Sequence, residues 1–309
     1  MAARNPYLNN KDLLKEIHNS KTSYSEFDKP EYHRFDAIAE TYDDLFKQEE
    51  EVEDIIDEKT GEITGSRGTG VWFYPVIREA QRSKAARIAA ETYAASMAEY
   101  DGPVSGKPRL IDHKIDPETL DEKDLIYRVT TFEHIPLEPG RKKNPRKESE
   151  YYVKLNFIPF KHYHITNIKK KKAVEIGRSH SLNGEFSQTH GAMTDALARM
   201  FMLLVERYSQ RANWRGYTYV DEMKGQSLLQ LSSMGLQFNE ARSSNPFAYF
   251  TQALAHSFTR VLNIEKKNQN IRDEILVNQG LTPSFSKQIE HENKVRQMRE
   301  DAKAAADNE

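Results

Sequence analysis

The sequence predicts a mainly α fold with a C-terminal helical bundle and an added α+β module that contains an antiparallel pair of strands. Three patterns support this prediction. Apolar residues recur at helical intervals between residues 193 and 262, an alanine-rich helical stretch follows Val76, and residues 125–165 alternate between apolar and polar side chains as strands do. The chain of 309 residues is long enough for two folding units with separate cores.

Composition and charge narrow the classes of partner. Hydrophobic residues make up 38% of the chain and charged residues 30%, which is more polar than most globular domains but leaves enough apolar side chains to form a core. The formal net charge is -2, so any contact with nucleic acid must come from local clusters of cations. The chain has no cysteine, which excludes disulfides, thiolate metal sites and cysteine nucleophiles.

The sequence shows no membrane-spanning segment and no secretory signal. No stretch reaches the roughly 20 consecutive apolar residues that a bilayer-spanning helix needs. The N-terminus mixes polar and apolar residues and lacks the apolar centre of a signal peptide. We therefore expect a soluble, cytoplasmic protein.

The N-terminal part of the chain contains signals for a helix and for a hairpin. Asn9 can cap a short helix whose apolar stripe includes Leu13 and Ile17. Acidic residues dominate 49–58, which is more typical of a solvated acidic loop, although the turn-forming residues 57–61 also suggest a small turn or hairpin.

The glycine-rich run 65–70 has the composition of a phosphate-binding loop but not its chemistry. The lysine and the Ser or Thr that close a P-loop around phosphates are missing, and no strongly apolar strand precedes the run. We therefore expect a flexible connection there, followed by the alanine-rich helix from Val76 to about Tyr100.

Downstream of Leu125 the pattern changes from helical to strand type. Alternation around Tyr127 and again over 152–157 predicts two antiparallel strands. The connection 140–147 between them carries five cations, and Lys169–Lys172 adds four more. Such clusters bind phosphate groups by releasing counterions, but many exposed cations only solvate a surface, and the sequence leaves both interpretations open.

Two histidines at strand spacing, His162 and His164, come nearest to a metal site, with His134 on a neighbouring segment. No carboxylate accompanies them at a fixed spacing, so we expect no bound metal and no cofactor. No catalytic order of Ser, His and Asp, no paired carboxylates and no glycine fingerprint is evident elsewhere. We therefore expect that the protein is not an enzyme.

Three helices are predicted in the C-terminal half. The strongest signal lies between Met193 and Tyr208, where apolar residues fall on one broad stripe. A second helix is predicted from Thr218, as an N-cap, to about Leu236. A third is predicted to begin at Pro246, because a capping residue precedes it and proline is favoured at the first helical position. Three helices with short connections form a compact bundle.

The third helix combines a ring, hydrogen-bonding tips and cations outside its apolar stripe. This set suits single-stranded or partly melted DNA, in which rings stack on unpaired bases and cations hold the backbone. The simpler interpretation is that the aromatic residues of the bundle only form its core. The candidate DNA-binding residues are Tyr249, Gln252, His256, Thr259, Arg260, Lys266 and Lys267.

Four short segments of the sequence resemble segments of a known protein family. They are Trp-Arg-Gly-Tyr-Thr-Tyr-Val-Asp-Glu-Met from Trp214, Gly-Leu-Gln-Phe-Asn-Glu from Gly235, Asn-Pro-Phe-Ala-Tyr-Phe-Thr-Gln-Ala from Asn245 and Tyr-Leu-Asn-Asn-Lys-Asp-Leu-Leu from Tyr7. Together they resemble the late-transcription sigma factors of T4-like phages and, more distantly, region 2 of the sigma-70 family. The string from Asn245, in its helical setting, is the most specific of them.

The resemblance implies a phage-type RNA polymerase sigma factor in the cytoplasm of a bacterial host cell. Such a factor binds core RNA polymerase, directs it to late promoters with an A/T-rich minus-ten element and aids promoter melting. In the family the second helix grips the coiled coil of the largest polymerase subunit, which implies polymerase-binding roles for Asp221, Glu222 and Gln226. The third helix binds promoter DNA, which adds Phe247 and Thr251 to the DNA-binding candidates.

Two departures from the family pattern bear on mechanism. Where housekeeping sigma factors place a pair of tryptophans, this chain has Gln252 and Ala253, which implies weak melting and dependence on a phage coactivator. The C-terminus lacks the short apolar, acidic tail that holds the phage factor to a sliding clamp, so clamp binding is left open. The alternative function is that of a phage helical interaction or structural protein without a role on DNA.

Four segments are predicted from these observations. Residues 1–27 contain an N-terminal helix that packs on the sigma core, and 28–180 form an inserted α+β module of unknown role. Residues 181–272 form the helical bundle resembling sigma region 2. The charged C-terminal segment 273–309 is either a helix or disordered.

Overall fold

The structure is a computed structural model that describes residues 8–56, 63–102, 107–136 and 155–306. The chain divides into two compact units. The first unit comprises Met1–Met200 and Ser233–Phe247, and the second comprises Phe201–Ser232 and Ala248–Glu309.

Helix is the dominant secondary structure, as the sequence predicts. The helices are α1 (Asn10–Thr22), α2 (Pro75–Glu99), α3 (Asp195–Ser209), α4 (Val220–Met234), α5 (Pro246–Asn278) and α6 (Phe285–Ala306). The strands are β1 (Ser25–Phe27), β2 (Ala37–Ala39), β3 (Glu49–Ile56), β4 (Ile63–Phe73), β5 (Tyr127–Thr130), β6 (Phe160–Asn167), β7 (Lys172–Ser179), β8 (Ser181–Leu182) and β9 (Glu185–Phe186).

Helix α1 begins where the sequence predicts it. The Asn9 side chain accepts a hydrogen bond from the backbone N–H of Asp12 at 2.7 Å, which satisfies one of the unpaired donors of the first turn. Leu13 and Ile17 are fully buried. The predicted cap and apolar stripe are therefore confirmed.

A five-stranded sheet in the order β1-β7-β6-β5-β2 forms the centre of the first unit. Strands β2 and β5 run parallel, and the other neighbours are antiparallel. Tyr127 and Ile165 on the sheet pack in one apolar cluster with Ile77 and Ala80 of α2. The small alanine side chain lets the helix approach the sheet closely, so α2 covers one face of it.

The antiparallel strand pair is present, but the prediction of its second member is wrong. Strand β5 pairs with β6 at Phe160–Asn167, and the described residues 155–157 lie outside any strand. Leu155 and Phe157 are nevertheless buried, and the Phe157 ring lies 4.2 Å from the ring of His180. Burial of alternate side chains in an irregular segment therefore gave the same sequence pattern as a strand. The basic connection 140–147 lies outside the described residues.

The acidic run is part of a hairpin, so the prediction of a solvated loop is wrong. Strands β3 and β4 pair antiparallel, although the predicted turn residues 57–61 lie outside the described residues. The glycine-rich run 65–70, expected to be a flexible connection, belongs to β4. The Glu50 side chain accepts a hydrogen bond from the backbone N–H of Gly70 at 2.9 Å, and the Thr69 hydroxyl donates to the Glu51 carbonyl. These hydrogen bonds fix a segment whose composition alone indicates flexibility.

The second unit has an aromatic core shared by its helices. The rings of Phe201 and Phe250 meet edge to face with centroids 4.8 Å apart. The ring of Phe258 lies 5.0 Å from Tyr208 and 5.2 Å from Trp214. Edge-to-face pairs of this kind stabilise a core beyond the area that they bury. Phe201, Tyr208, Phe250 and Phe258 are buried, as their helical spacing predicts. Trp214, which the sequence places in a loop, is buried as well, whereas Phe247 of the predicted stripe is 37% exposed.

The helix bounds agree closely with the sequence prediction, with two differences. Helix α4 begins at Val220, and the carbonyl of Tyr219 accepts the first helical hydrogen bond, so Tyr219 occupies the cap position predicted for Thr218. For the C-terminal segment the sequence leaves a helix or disorder open, and the structure shows that most of it is helix α6, residues 285–306. The Asp273 carboxylate accepts hydrogen bonds from the backbone N–H and the hydroxyl of Ser284, just before α6.

Two histidines of the first unit, half-buried His134 and buried His180, lie beside Ser179. The Nε2 atom of His134 lies 3.0 Å from the Ser179 carbonyl oxygen, and Nδ1 of His180 lies 3.0 Å from the Ser179 hydroxyl. Their other ring nitrogens are buried and have no hydrogen-bond partner among the described residues. Burial lowers the pKa of His134 to about 4 and the pKa of His180 to about 3. Burial, with Arg128 beside the ring, also holds the pKa of His162 well below its ordinary value.

We expect the free energy of unfolding to fall as the pH drops below about 6.5. Each of these histidines is neutral in the folded chain, whereas in the unfolded chain it takes up a proton near pH 6.5. Acid therefore favours the unfolded state from that pH down to the lowered folded pKa, by on the order of 1.4 kcal/mol per pH unit for each histidine. Urea denaturation at pH values from 7 down to about 5 measures the decline.

The variant His134→Gln tests the cause of this pH dependence. Its amide can still donate to the Ser179 carbonyl, but it cannot be protonated. Its stability should therefore decline less steeply with acid than that of the parent chain. An unchanged slope would contradict the assignment of the acid sensitivity to these histidines.

Candidate nucleic-acid interface

Helix α5 presents one continuous polar face in the second unit. An α-helix turns by about 100° per residue, so residues three, four and seven positions apart lie on the same side. All side chains on this face are exposed except Tyr249, which is half-buried with its ring 5.3 Å from that of Phe250. The residues of this polar face are Tyr249, Gln252, His256, Thr259, Arg260, Asn263 and Lys267.

The opposite side of α5 fixes the orientation of the polar face. Phe250, Leu254 and Phe258 are fully buried, and Val261 is nearly so. Rotating the helix would expose these side chains and bury Arg260, both of which are unfavourable. The polar face is therefore held towards solvent by the core.

The polar face carries its positive charges in its second half, at Arg260 and Lys267. None of its residues between 249 and 270 is acidic, and all of these residues are described. Arg260, Lys267 and the adjacent Lys266 form no ion pair with any described residue. An open depression of about 460 Å³ on this face is lined by His256, Thr259, Arg260, Asn263, Ile264 and Lys267.

The structure brings together most of the predicted DNA-binding residues but not all of them. Lys266 lies at the edge of the polar face, whereas Phe247 and Thr251 lie on other sides of α5. The backbone N–H of Phe247 donates to the Asn10 side chain at 3.0 Å, and the Thr251 hydroxyl oxygen is buried without a hydrogen-bond partner among the described residues. The resemblance alone implied a DNA-binding role for these two residues. Their positions in the helical period place both of them away from the polar face.

A second exposed face lies on α4. Glu222, Gln226 and Leu229 are spaced by four and three residues and are exposed, Leu229 by 65%. Asp221 lies about 100° around the helix from Glu222. Its carboxylate is 3.4 Å from Lys224, which also pairs with Glu206 at 3.1 Å. Of the three predicted polymerase-binding residues, Glu222 and Gln226 therefore share a face that Asp221 does not.

Two residues of these faces were not predicted from the sequence. Asn263 lies seven residues after His256, and Leu229 lies seven residues after Glu222. A seven-residue spacing is close to two helical turns, so extending the period from the predicted residues would have found both. An exposed leucine is by itself common on protein surfaces, which is why the sequence alone gave it no weight.

The predicted histidine pair is held by hydrogen bonds within the protein. The Nε2 atom of His162 accepts from Nε of Arg128 at 2.9 Å, and its Nδ1 lies 2.7 Å from the Tyr32 carbonyl. Nδ1 of His164 lies 2.9 Å from the Leu125 carbonyl. Within the described ranges, no group of three or more His, Cys, Asp or Glu side chains could hold a metal ion.

Helix α1 holds the connection that leads into α5. The Lys21 ammonium lies 2.7 Å from both carboxylate oxygens of Glu240 and donates to the Phe238 carbonyl at 2.9 Å. The Asn10 side chain accepts from the backbone N–H of Phe247. Two sequence segments more than 200 residues apart therefore contact each other within the first unit.

No protein-family model, curated protein or solved structure matched the chain. In the part of the chain that the structure describes, no helix has an apolar stretch long enough to cross a bilayer. A function for these faces must therefore be argued from the residues that form them.

Proposed function

We propose that the protein is a phage-type sigma factor that binds bacterial core RNA polymerase through α4 and late-promoter DNA through α5, in the cytoplasm of a bacterial host. The observation that supports this most strongly is the polar face of α5, on which a ring, an amide and unpaired cations follow one another without a carboxylate. The sequence resemblance to the late phage sigma factors points to the same helix.

Each kind of side chain on the polar face suits one part of a melted promoter. The Tyr249 ring can stack on an unpaired base, which offsets part of the cost of removing that base from the duplex. The Gln252 amide can donate to and accept from the edge of an adenine. Arg260 and Lys267 can contact phosphates, and A/T-rich steps are among the easiest to open.

The exposed face of α4 supports the polymerase contact. Glu222 and Gln226 offer a charge and an amide beside the exposed apolar side chain of Leu229. Apolar side chains within a polar rim are typical of protein interfaces, and a carboxylate at the rim selects partners of opposite charge. A coiled coil of the largest polymerase subunit is the partner that the resemblance implies.

An in vitro transcription assay tests the proposal. The purified protein is added to bacterial core RNA polymerase on templates with and without an A/T-rich minus-ten element. We expect transcripts only from the template with the element, and more of them on negatively supercoiled DNA, because supercoiling aids melting. No stimulated transcript from any template, with a phage coactivator and sliding clamp also supplied, would contradict the proposal.

The second candidate function is that of a helical interaction protein without a role on DNA. The observation that favours it is a set of exposed apolar side chains on α6 and the distal part of α5, which includes Ile264, Ile271, Ile275 and Phe285. Exposed apolar side chains in such number are typical of protein-binding surfaces. This function predicts that substitutions on the polar face of α5 leave binding to the protein partner unchanged. The first proposal predicts the opposite, that such substitutions impair function.

A further inference from the structure

Four consecutive lysines, Lys169–Lys172, occupy the turn between β6 and β7 and the first position of β7; they are here called the lysine turn. All four side chains are exposed, and none forms an ion pair with a described residue. The cations on the strands behave differently, because Lys161 pairs with Glu175 at 3.0 Å and Arg178 pairs with the same carboxylate. The cations on the strands are therefore held in ion pairs, whereas those of the lysine turn are not.

The lysine turn is held in one conformation by its neighbours. The Asn167 side chain accepts from the backbone N–H of Lys170 at 2.9 Å. The Tyr42 hydroxyl donates to the Lys171 carbonyl at 3.3 Å and accepts from the backbone N–H of Ala173 at 3.0 Å. The ring of Tyr42 packs against Tyr163 with centroids 5.3 Å apart, so the hydroxyl that holds the turn is itself anchored in the core.

Lys171 occupies a backbone conformation that favours other residues. Its φ is 50°, in the left-handed region, where glycine and asparagine are less strained than lysine. A lysine at this position lowers the stability of the turn but adds a fourth positive charge. A strained residue of this kind is a reason to look for a function of its side chain.

We propose that the lysine turn binds the phosphate backbone of duplex DNA without regard to sequence, as a contact separate from the polar face of α5. Exposed ammonium groups lose little hydration when they contact phosphates, and each contact releases a condensed counterion. The fixed turn keeps the four charges together, so less entropy is lost on binding. The contact goes beyond the proposed sigma function, because it requires neither polymerase nor a promoter.

DNA is favoured over a lipid surface by the second set of unpaired cations on the polar face of α5. A basic cluster alone binds anionic lipid only weakly and usually needs an acyl or apolar anchor. Each of the two cationic surfaces can instead contact the phosphates of a long polyanion. An anionic membrane is therefore the competing partner that the experiment must distinguish.

The test is the salt dependence of binding to a labelled duplex that lacks an A/T-rich element, measured by fluorescence anisotropy with the full chain and no polymerase. The variant Lys169→Gln/Lys170→Gln/Lys171→Gln/Lys172→Gln should bind roughly ten-fold or more weakly at low salt. The slope of log affinity against log salt should become less negative by about 0.9 for each phosphate that the variant no longer neutralises. The matched control removes four exposed cations elsewhere on the first unit, with the substitutions Lys107→Gln, Arg109→Gln, Lys114→Gln and Lys123→Gln, and should change both quantities far less.

Two further variants separate charge from folding. Lys171→Gly should raise the melting temperature, because glycine tolerates the positive φ, and should make the salt slope less negative by about 0.9. Tyr42→Phe keeps the ring and all four lysines, so it should weaken binding but leave the slope unchanged. Equal binding by the four-lysine variant and the matched control would overturn the proposal. A loss confined to phosphatidylserine vesicles, with duplex binding unchanged, would also overturn it and assign the turn to a membrane.

The failure of this proposal can be told apart from failure of the sigma function. Arg260→Gln/Lys267→Gln changes only the polar face of α5 and should retain the part of duplex binding that depends on the lysine turn. If no promoter-dependent transcript appears but the salt slope of the four-lysine variant is still less negative than that of the parent chain, the sigma proposal fails and the DNA contact stands. Promoter-dependent transcription with an unchanged salt slope gives the reverse conclusion.

Discussion

Replacing Glu240 with alanine is expected to lower the free energy of unfolding by about 3 to 5 kcal/mol, because it leaves a buried ammonium without its partner. The Lys21 side chain is 3% exposed and that of Glu240 is 10% exposed. Nε2 of His18 also lies 3.3 Å from the carboxylate. Without Glu240, the Lys21 ammonium keeps the Phe238 carbonyl as a hydrogen-bond acceptor and the Phe157 ring, whose centroid is 5.5 Å away, but no described carboxylate; burying an incompletely paired charge is costly.

The pKa directions of this pair agree with a buried ion pair. Burial alone would raise the pKa of the Glu240 carboxyl, but Lys21, His18 and Arg128 together hold it below its ordinary value. Burial lowers the pKa of Lys21, and the carboxylate counteracts that shift. Since the Glu240 pKa is lowered on folding, ionisation of this carboxyl adds stability at neutral pH that is lost as the pH falls below the ordinary carboxyl pKa of about 4.3. The lowered pKa of Lys21 acts in the opposite direction, because burial disfavours its charged form.

An exposed ion pair two residues away provides the control for this prediction. Arg242 and Glu40 lie 3.5 Å apart, with side chains that are 77% and 58% exposed. Because exposed pairs contribute little, Glu40→Ala should cost less than about 1 kcal/mol. Urea denaturation of both variants at pH 7 measures the difference. Equal effects of Glu240→Ala and Glu40→Ala would show that the Lys21 contact does not stabilise the fold.

A double-mutant cycle isolates the contribution of the contact itself. Lys21→Ala and Glu240→Ala remove opposite partners of one buried pair, so the double variant should be less destabilised than the sum of the two single variants. Glu240 belongs to neither the polymerase-binding face nor the DNA-binding face, so a loss of polymerase or DNA binding in Glu240→Ala would indicate a folding defect. The variant therefore shows how destabilisation of the fold affects these two binding properties.

The parts of the fold with a strong local signal could be predicted from the sequence. Asn9 caps α1, Pro246 begins α5, and Phe250 and Phe258 are buried, because capping chemistry and the helical period are local properties of the chain. The same period, applied strictly, would also have excluded Thr251 from the polar face. Local signals predict the helix, the resemblance implies its role on DNA, and the helical geometry decides which of its residues face solvent.

The long-range contacts could not be predicted from the sequence. The pairing of β5 with β6 was missed because buried residues such as Phe157 imitate a strand pattern in an irregular segment. The Lys21–Glu240 pair joins residues 219 positions apart, and no local signal distinguishes this buried lysine from an exposed one. The fixed conformation of the lysine turn depends on Tyr42, which precedes it by more than 100 residues. Such contacts are set by tertiary packing, and a single sequence does not reveal them.

Charge reversal on α4 is expected to separate polymerase binding from DNA binding. Glu222→Lys should lower the affinity for core polymerase by at least about ten-fold, since placing a like charge opposite a cationic partner costs more than about 1.4 kcal/mol. Asp221→Lys makes the same change one residue away but on another side of the helix. It should therefore retain most of the polymerase affinity, although its side chain can no longer pair with Lys224.

Substitution of the α5 ring should give the opposite result. Tyr249→Ala should keep polymerase affinity and lose promoter opening, because the ring that stacks on an unpaired base is gone. Tyr249→Phe keeps the ring and should retain most of the opening. Anisotropy with labelled core polymerase measures the first property, and permanganate reactivity of unpaired thymines in the promoter measures the second.

The decisive result is that Glu222→Lys and Tyr249→Ala lose different properties. Glu222 is exposed, and Tyr249 is only half-buried, so neither substitution should unfold a bundle whose core is formed by Phe201, Phe250 and Phe258. Each variant should therefore lose one property and keep the other. Loss of both properties in both variants, with a lowered melting temperature as in Glu240→Ala, would indicate unfolding. Retention of promoter opening in Tyr249→Ala would contradict the role of the polar face in melting, whatever the polymerase affinity.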